Sequence, residues 1–334
     1  MNPDISYIVI CFNSENYVLK CINSILNQSH TNNEIILVDN NSTDDTISTV
    51  KGLCIKNNIK LISNTTNLGY SNAIAMAIEK TKGEFLAILN ADSFLDANWA
   101  SNLLKAFRSD EKIMSASGKV LFPNGELQSS GGMMDKYGAV VQRDGKIFNS
   151  RKIHDNSFFF YNDGSSFMIR RKIFQETSFD PNLFLYYEDV DLSWKIRMLG
   201  YKIAYVPEAI SYHYMGQSIP DMTLSKFYHI TRNRIYVCHK NYSPRNIICR
   251  IPIMLFLIFL STVFYDTKKR STGYMKAFFK AIFWNIVNLG SARREQRKLR
   301  LKNKLSDKEL DSYLISKSIE LDLIRNKSNQ QFSI

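Results

Sequence analysis

Cysteine is scarce in this chain of 334 residues, and its placement excludes two kinds of scaffold. The five cysteines form no C-x-x-C pair and show no metal-finger spacing. Because their number is odd, we expect neither a disulfide framework nor a zinc knuckle, and we predict a reducing compartment. The first residues are polar and lead directly into an apolar strand, without the basic segment, apolar stretch and cleavage site of an export signal. We therefore expect no export.

Glycine is missing where a dinucleotide-binding oxidoreductase would need it. That class requires a G-x-G-x-x-G turn after the first strand, and residues 11–16 contain no glycine. The oxidoreductase interpretation is therefore discounted. Internal repeats are also missing, and the polar tail after Asn326 is the single low-complexity segment.

Apolar residues make up 45% of the chain, enough to bury a sizeable core, and the formal net charge is +12. A positive field attracts anionic partners such as nucleic acid, anionic lipid or phosphate-bearing ligands. Much of the excess charge lies beside apolar helices, and no established nucleic-acid recognition motif is present. We therefore predict no nucleic-acid partner.

The first hundred residues alternate strand and helix patterns. Strands are predicted at 7–11, 34–38, 60–62 and 85–89, and helices at 16–27, 44–57, 71–80 and 97–107. This βαβ succession predicts an α/β fold, with a mostly parallel, Rossmann-like central sheet covered by helices on both faces.

From Ile113 onward, short strand-like pieces separated by turns predict hairpins that extend the sheet and wall a cleft. A strand at 166–170, a helix at 189–199, a strand at 202–206 and a loop carrying His213 follow. We place a compact domain at 1–215, divided at about residue 112, and a helical, basic and apolar region at 216–334.

Two predicted parallel strands end in acidic residues. Ligands of open α/β sheets bind beyond the carboxyl ends of the strands, so Asp39 is placed to accept hydrogen bonds from a base or ribose. Asp92, with Asn90 as a weaker neighbour, can hold Mg²⁺ or Mn²⁺, which need few protein oxygens when a diphosphate supplies the rest. The alternative is that Asp39, Ser42 and Asp92 are turn or cap residues.

A third acidic segment, Glu188, Asp189 and Asp191, lies at a predicted helix start. The helix dipole stabilises negative charge there, while the neighbouring Tyr and Trp side chains raise proton affinity toward that of a general base. Helix capping accounts for one or two of these acids, but hardly for all three. His213 is a lone histidine that is either a metal ligand or a packed or surface imidazole.

Together these segments resemble glycosyltransferase family 2, in particular its bacterial rhamnosyltransferase-like branch. The matching segments occur in order and cover roughly residues 5–240. They are 8–14 with 24–28, 38–44, 67–71, 89–92, 164–171, 187–192 with 199–200, and His213.

The resemblance implies a GT-A fold, a nucleotide diphosphate sugar donor, a divalent metal and inversion at the anomeric carbon. It implies that Asp39 contacts the base and that Asp92 and His213 bind the metal. Asp189 would deprotonate the acceptor hydroxyl, with Glu188 and Asp191 shaping that carboxylate cluster. The further donor contacts that it implies are Phe12, Asn13, Glu15, Asn67, Gly69, Asn90 and Ala91.

One departure concerns the metal. The family's usual Asp-X-Asp stands here as Asn90-Ala91-Asp92, so one metal carboxylate is missing. The related branch commonly has Asn at this place. We therefore expect a Mg²⁺ or Mn²⁺ cofactor with a reduced set of protein ligands.

The C-terminal region predicts contact with a membrane. The apolar run 251–265 is 15 residues long, shorter than the roughly 20 that span a bilayer, and basic residues flank it. We predict a segment lying in the interface of an anionic membrane, aided by Lys276, Lys280 and the basic residues of 293–304. The alternatives are a buried helical hairpin, a homodimer contact or a single span. On the preceding helix, Arg232 and Arg234 are candidate phosphate contacts.

The predicted function is transfer of one sugar, with deoxythymidine diphosphate rhamnose favoured as donor, to a glycan or lipid-linked acceptor of surface polysaccharide. A uridine diphosphate hexose or galactofuranose is the alternative donor, and a catalytically weakened sugar-nucleotide-binding homologue is the alternative function. A processive synthase needs several membrane spans to form a channel and is not expected. We predict a cytoplasmic location at the inner face of the membrane.

Overall fold

A nine-stranded sheet forms the centre of the computed structural model, which describes residues 2–143, 159–214 and 222–325. Its strands lie in the order β3-β2-β1-β4-β10-β6-β11-β5, with β7 paired to β6, and β8 and β9 form a separate pair. The strands are β1 (Ile5–Cys11), β2 (Asn33–Asp39), β3 (Lys60–Ser63), β4 (Phe85–Asn90), β5 (Ser93–Leu95), β6 (Ile113–Leu121), β7 (Leu127–Ser129), β8 (Gly132–Met134), β9 (Val140–Gln142), β10 (Ser166–Arg170) and β11 (Lys202–His213).

Helices surround this sheet and extend beyond it. The helices of the first 215 residues are α1 (Val18–Leu26), α2 (Thr46–Lys56), α3 (Tyr70–Ile78), α4 (Trp99–Ser109) and α5 (Glu188–Met198). Those that follow are α6 (Leu224–Asn241), α7 (Pro244–Lys269), α8 (Gly273–Val287), α9 (Leu289–Lys302), α10 (Asp307–Asp311) and α11 (Ile319–Arg325).

The first half of the sheet is parallel and covered on both faces. Strand β1 pairs in parallel with β2 and β4, and every residue of β1 is buried. Successive side chains of a strand point to opposite faces, so Tyr7 and Val9 pack in one core with α1 and α4, while Ile8 and Ile10 pack in another with α3 and α5. The predicted α/β arrangement with helices on both faces is confirmed.

The second half of the sheet is mixed. Strand β10 lies antiparallel between β4 and β6, β11 runs parallel to β6, and β5 pairs antiparallel with the end of β11. The expectation that His213 lies in a loop is wrong, because β11 continues past Val206 to His213 after a register shift. The predicted hairpin region is present as β6–β7 and β8–β9.

The C-terminal helices share a core with the sheet domain. Trp194 and Met198 of α5 pack with Tyr236 of α6 and Ile258 of α7 in one apolar cluster. The backbone N–H of Ile315 also donates to the carbonyl of Met134. The proposed boundary near residue 215 falls outside the described residues.

Helix α7 is 26 residues long, with a mean hydropathy of 2.4 over its most apolar 18 residues, and 22% of that stretch is buried. By length and composition it could cross a membrane. The helix extends beyond the apolar run 251–265, since it begins at Pro244, after the Ser243 hydroxyl that caps it.

A buried ionic network joins α6 to α5. Lys240 is fully buried and pairs with Asp180 and with Asp191, 2.9 Å away, while Lys195 pairs with the other oxygen of Asp191 at 2.6 Å. Burial lowers the pKa of Lys240, but the charges of Asp191 and Asp180 outweigh it and raise that pKa overall. The two lysines and the two aspartates therefore compensate one another's buried charge, and removal of any one of them leaves a buried charge without its partner.

We expect Lys240→Met to lower the free energy of unfolding by about 3–5 kcal/mol, because it leaves two buried carboxylates with one cation. Chemical denaturation monitored by circular dichroism measures the change. The matched control is Lys298→Met, which removes an exposed i,i+3 pair with Glu295 and should cost less than about 1 kcal/mol. Equal stability losses in the two variants would contradict this account of the network.

Candidate active site

The pairing of β5 with β11 places Asp92 beside His213. Ser93 lies opposite His213 in this ladder, and the backbone N–H of Tyr214 donates to the carbonyl of Asp92. The His213 Nε2 and Asp92 Oδ1 atoms are 3.3 Å apart, and each side chain is 12% exposed. Two residues 121 positions apart in number thus form one partly open site.

Gln128 fixes the orientation of the His213 ring. Its Oε1 lies 2.8 Å from His213 Nδ1, and its Nε2 donates to the His213 carbonyl at 3.2 Å. Since Nε2 of Gln128 is the donor, its Oε1 is free to accept the Nδ1–H of the imidazole. Nε2 of His213 then faces Asp92 and is available as a ligand, as in metal sites where the second ring nitrogen is held by an acceptor.

The Asp92–His213 pair fits a divalent cation. Neighbouring ligands about 2.1 Å from an octahedral ion are roughly 3 Å apart, close to the observed separation. Burial lowers the pKa of His213, but the hydrogen bond and charge of Asp92 raise it overall, so a bound cation would displace a proton from the ring. Within the described ranges, no group of three or more His, Cys, Asp or Glu residues could hold a metal, so further ligands would come from a diphosphate or water.

The start of β10 connects this pair to the acidic end of α5. Because β10 lies antiparallel to β4, the carbonyl of Ser165 accepts the N–H of Asn90, which ends β4. The neighbouring Gly164 lies against Asp189, since a Cβ built on Gly164 would be 2.8 Å from Asp189 Oδ2. Asp92 and Asp189 therefore lie on the same edge of the sheet.

Glu188 and Asp189 form a pair of carboxyl groups with high proton affinity. Burial, and then the charge of Asp189, raises the pKa of Glu188, whose Oε2 is buried without a hydrogen-bond partner in the described part of the chain. Burial also raises the pKa of Asp189, although its Oδ1 accepts the N–H of Val190 at 2.8 Å. A carboxylate with a raised pKa is a better proton acceptor than an ordinary one.

The Tyr70 side chain lies near the carboxyl groups of the site. Its hydroxyl lies 3.4 Å from the carbonyl of Gly164. Burial raises its pKa, and the neighbouring carboxyl groups raise it further; these are Glu188, Asp189, Asp92 and Asp163. The sequence segments that carry Asp92 and Asp189 thus converge around one tyrosine.

The loops after β1 and β2 are joined by reciprocal hydrogen bonds. Asn13 donates its N–H to Ser42 Oγ and accepts the N–H of Thr43 with its side chain. Glu15 accepts the N–H of Asp45 at 2.9 Å. Phe12, 46% exposed, lies beside them and is free to contact a ligand.

Asp39 lies at the end of β2, opposite Cys11 in the parallel ladder, while Asn90 lies opposite Ile10. Its two oxygens each accept the N–H of Ser42 at 3.2 Å, so it also acts as a turn residue. Asp39 and Asn90 thus flank the carboxyl end of β1. This is where ligands of open α/β sheets bind.

Asn67 and Gly69 belong to an amide network with Asn40. The Asn67 side chain accepts from Asn40 Nδ2 and from the N–H of Gly69, each at 2.9 Å. Gly69 has φ of +77°, and a Cβ there would overlap Phe184, whose carbonyl accepts the N–H of Tyr70. Glycine is required at this position. Ala91, between Asn90 and Asp92, is buried.

Three predicted site residues point elsewhere. Asp191 is 1% exposed and is held by Lys195, Lys240 and Asn241, away from the Glu188–Asp189 pair. Arg234 forms a two-point ion pair with Glu320 and donates to the Tyr137 carbonyl. Arg232 donates to Asn182 and Asn233. Asp191 and both arginines thus form ion pairs or hydrogen bonds with other groups of the protein, in place of contacts with a substrate.

Three further residues of the site were missed in the sequence. Asp163 is 5% exposed, accepts from Gln142 and Ser165, and contributes to the raised pKa of Asp189. Gln128 and Tyr70 are the others. Two signals were available: Asp163 directly precedes the matched segment 164–171, and Tyr70 lies within the matched segment 67–71.

The mixed sheet, with acidic residues along one edge, has the architecture of the GT-A fold. Residues 6–178, more than half of the chain, match the family model described as "Glycosyl transferase family 2". The chain belongs to glycosyl transferase family 2. The family prediction is confirmed, and the rhamnosyltransferase branch stays a prediction.

The relatives include an uncharacterized glycosyltransferase of Haemophilus influenzae, 27% identical over 62% of this chain and 64% of its own length. A poly-beta-1,6-N-acetyl-D-glucosamine synthase of Staphylococcus epidermidis is 22% identical over 64% of this chain and 51% of its own. The chain thus covers less than two thirds of either curated relative.

Among solved structures, a mannosyltransferase of Pyrobaculum calidifontis in complex with GDP-Man and Mn²⁺ aligns with a TM-score of 0.56. It is 15% identical and covers 98% of this chain and 89% of its own. At this identity the likeness shows the fold, which confirms the predicted GT-A architecture.

We expect Gly164→Ala to lower the rate of glycosyl transfer by about tenfold to a hundredfold, because the added Cβ displaces Asp189 and small misplacements of reacting groups are costly. Initial rates measure the effect. The control is Gly52→Ala in α2, where a Cβ meets nothing within 4 Å, and which should keep the rate and add up to about 1 kcal/mol of stability. A folded Gly164→Ala protein with the wild-type rate would contradict the placement of Asp189.

Proposed function

We propose that the chain transfers a single sugar, with inversion, from a nucleoside diphosphate donor to a hydroxyl of a glycan or lipid-linked acceptor in surface polysaccharide synthesis. The observation that carries the proposal is the position of Asp189 beside Gly164, on the same sheet edge as Asp92 and His213. Deoxythymidine diphosphate rhamnose is the favoured donor by family resemblance. A uridine diphosphate hexose or galactofuranose is the alternative.

The donor side uses the ends of β1, β2 and β4. Asp39 accepts hydrogen bonds from the base or ribose, and further residues at these strand ends hold the remainder of the nucleotide. These are Phe12, Asn13, Glu15, Asn67, Gly69, Asn90 and Ala91. The mannosyltransferase of the same fold, solved with GDP-Man and Mn²⁺, supports a nucleotide sugar and a divalent cation here. Asp92 and His213 would hold the cation, Mg²⁺ or Mn²⁺, which would offset charge on the departing diphosphate.

The acceptor side uses the start of α5. Asp189 takes the proton of the acceptor hydroxyl as its oxygen bonds to the anomeric carbon and the bond to the diphosphate breaks. Attack on the face opposite the leaving group inverts that carbon. Since burial raises the pKa of Asp189, transfer should fall with decreasing pH while still above about 4, the ordinary range of a carboxyl group. Glu188, whose pKa is also raised, shapes the carboxylate cluster beside Asp189.

Two substitutions separate catalysis from donor binding. We expect Asp189→Asn to lower turnover by about 10²–10⁴-fold, because the amide cannot accept the proton, while a nucleotide diphosphate still raises the melting temperature. Asp92→Ala should lose the part of that thermal shift that depends on Mn²⁺. Transfer assays and thermal shift with several nucleotide sugars measure both.

The control is Asp110→Asn, a partly exposed residue paired with Lys202, which should change neither readout. Unchanged turnover in Asp189→Asn would remove this residue from the mechanism. Donor binding without turnover in the wild-type protein would favour a catalytically weakened homologue.

We also propose that α7 and α8 lie in the interface of an anionic membrane at its cytoplasmic face. The two helices pack against each other and leave apolar side chains exposed; the most exposed are Ile248 (74%), Phe256 (60%), Phe279 (58%), Phe283 (67%), Ile286 (64%) and Val287 (65%). Exposed basic residues adjoin this surface: Lys268, Lys269, Arg270, Lys276 and Lys280. Apolar area beside cationic residues fits an anionic bilayer, where a lipid-linked acceptor would be found.

We expect Phe279→Ser combined with Phe283→Ser to weaken binding to vesicles containing phosphatidylglycerol by more than about tenfold, since each buried phenylalanine contributes roughly 1.5–3 kcal/mol. Co-sedimentation measures the bound fraction, and binding to neutral phosphatidylcholine vesicles should be weaker. The control is Ile55→Ser, a 76% exposed residue of α2, which should bind as the wild type does. The proposal would be contradicted if the wild-type protein did not bind anionic vesicles. It would also be contradicted if the wild-type protein were a dimer and the double variant a monomer.

A further inference from the structure

The turn that leads into α5 has an unfavourable backbone conformation. Tyr186 and Tyr187 have φ values of +70° and +71°, in the left-handed region. Residues with bulky side chains rarely adopt this left-handed conformation, and such strain persists only where the surrounding structure enforces it. The two residues immediately precede Glu188 and Asp189, so the geometry of this turn decides where both carboxyl groups point.

The start of α5 has no cap of its own. Tyr187 is the N-cap residue, and its side chain makes no capping hydrogen bond to the first turn. The Tyr187 hydroxyl donates to the carbonyl of Gly138 at 2.9 Å, which anchors the ring but not the backbone of the turn. Another element must therefore hold the turn in its strained form.

Asn233 of α6 supplies that restraint. Its side chain is fully buried, and its Nδ2 donates to the carbonyls of Leu185 at 2.8 Å and Tyr186 at 2.7 Å. Both N–H groups of one amide thus bind two consecutive peptide carbonyls. If the turn relaxed to negative φ, these carbonyls would rotate and the buried amide would lose its acceptors.

Arg232 fixes the direction of this amide. Its Nε donates to Asn233 Oδ1 at 2.8 Å, so the Nδ2 side must face the turn, and its Nη2 donates to the carbonyl of Asn182 at 3.0 Å. The guanidinium lies 4.5 Å from the Trp284 ring of α8, and Asn285 donates to the Arg232 carbonyl. Arg232 and Asn233 together bind three carbonyls of the segment 182–186.

We infer that Asn233 is a positioning residue, which holds the left-handed Tyr186–Tyr187 turn so that Asp189 is aimed at the acceptor hydroxyl. The inference rests on the proposed role of Asp189 as the base. Arg232 and Asn233 of α6 then serve to position the acceptor side. The sequence had instead suggested that Arg232 and Arg234 contact phosphate. In the described part of the chain, Asn233 itself makes hydrogen bonds to the turn and to Arg232, and none to the strand ends of β1, β2 and β4.

The first test is Asn233→Ala in the full chain. We expect kcat to fall by about tenfold to a hundredfold, because the base is misplaced, while the KM for the donor changes less than about twofold because uniform donor binding is retained. Asp189 is faced by Glu188, Asp163, Tyr70 and Tyr161. A released turn lets water reach these groups, so the acid limb of the pH–rate profile should move to lower pH.

The matched control is Asn241→Ala on the same helix. Asn241 is 3% exposed and donates to Asp191 Oδ1 at 3.0 Å, without a hydrogen bond to the turn. We expect this variant to lose thermal stability and to keep the wild-type position of the acid limb. A loss in both variants that scales only with the folded fraction would show that Asn233 is merely structural and would overturn the inference.

A second-site change tests the backbone directly. Glycine adopts positive φ without the steric penalty of tyrosine, so Tyr186→Gly added to Asn233→Ala should recover part of the lost kcat. No recovery, or wild-type kcat and pH profile in Asn233→Ala alone, would overturn the inference. Full turnover in Asp189→Asn would instead defeat the proposed base, and this separate variant keeps the two failures distinguishable.

Discussion

The short antiparallel ladder between β5 and β11 is the contact on which the site depends. Three residue pairs, Ser93–His213, Phe94–Tyr212 and Leu95–Ser211, join segments that are more than 110 positions apart. The Phe94 and Tyr212 rings stack at 4.7 Å, and the ammonium of Lys20 lies 3.6 Å from the Phe94 ring. This aromatic cross-strand pair and the Lys20 ammonium stabilise a ladder that has only a few backbone pairs of its own. The ladder brings an imidazole to the carboxylate at the end of β4.

The two sides of the site are built in different ways. The proposed donor side consists of loops that follow parallel strands, and local hydrogen bonds of side-chain amides hold them; Asn40, Asn67 and Asn13 are the main contributors. The proposed acceptor side consists of α5, whose buried face packs on α6 and the other C-terminal helices. The C-terminal region is therefore part of the structure that supports the carboxyl pair, in addition to the membrane contact proposed for its exposed face.

Much of the fold follows from local patterns. Apolar runs between polar turns predicted the first four strands and helices to within about two residues, and the strand 166–170 has the predicted bounds. The extension of β11 to His213 could not be predicted, because Pro207 and Glu208 interrupt its apolar pattern and the register shifts between Val206 and Ile210. Proline in a strand normally signals an edge or an end.

The site was less predictable than the fold, for reasons of geometry. Asp189 and Asp191 are two residues apart on a helix, which turns about 100° per residue, so they point to nearly opposite faces. A sequence cluster of three acids therefore contains two that share the site and one that belongs to the Lys240 network. Gln128 and Asn233 act through hydrogen bonds to residues far away in the sequence, and an isolated amide carries no local pattern that distinguishes it from a surface residue.

The most direct test of the common edge is a crystal structure with Mn²⁺ and a nucleoside diphosphate, with diffraction recorded at the manganese absorption edge. The account predicts one anomalous peak bonded to Asp92 and His213, with the nucleotide at the ends of β1 and β2 and Asp189 facing the open side of the diphosphate. A bound nucleotide whose manganese contacts neither Asp92 nor His213, or which lies away from Asp189, would contradict it.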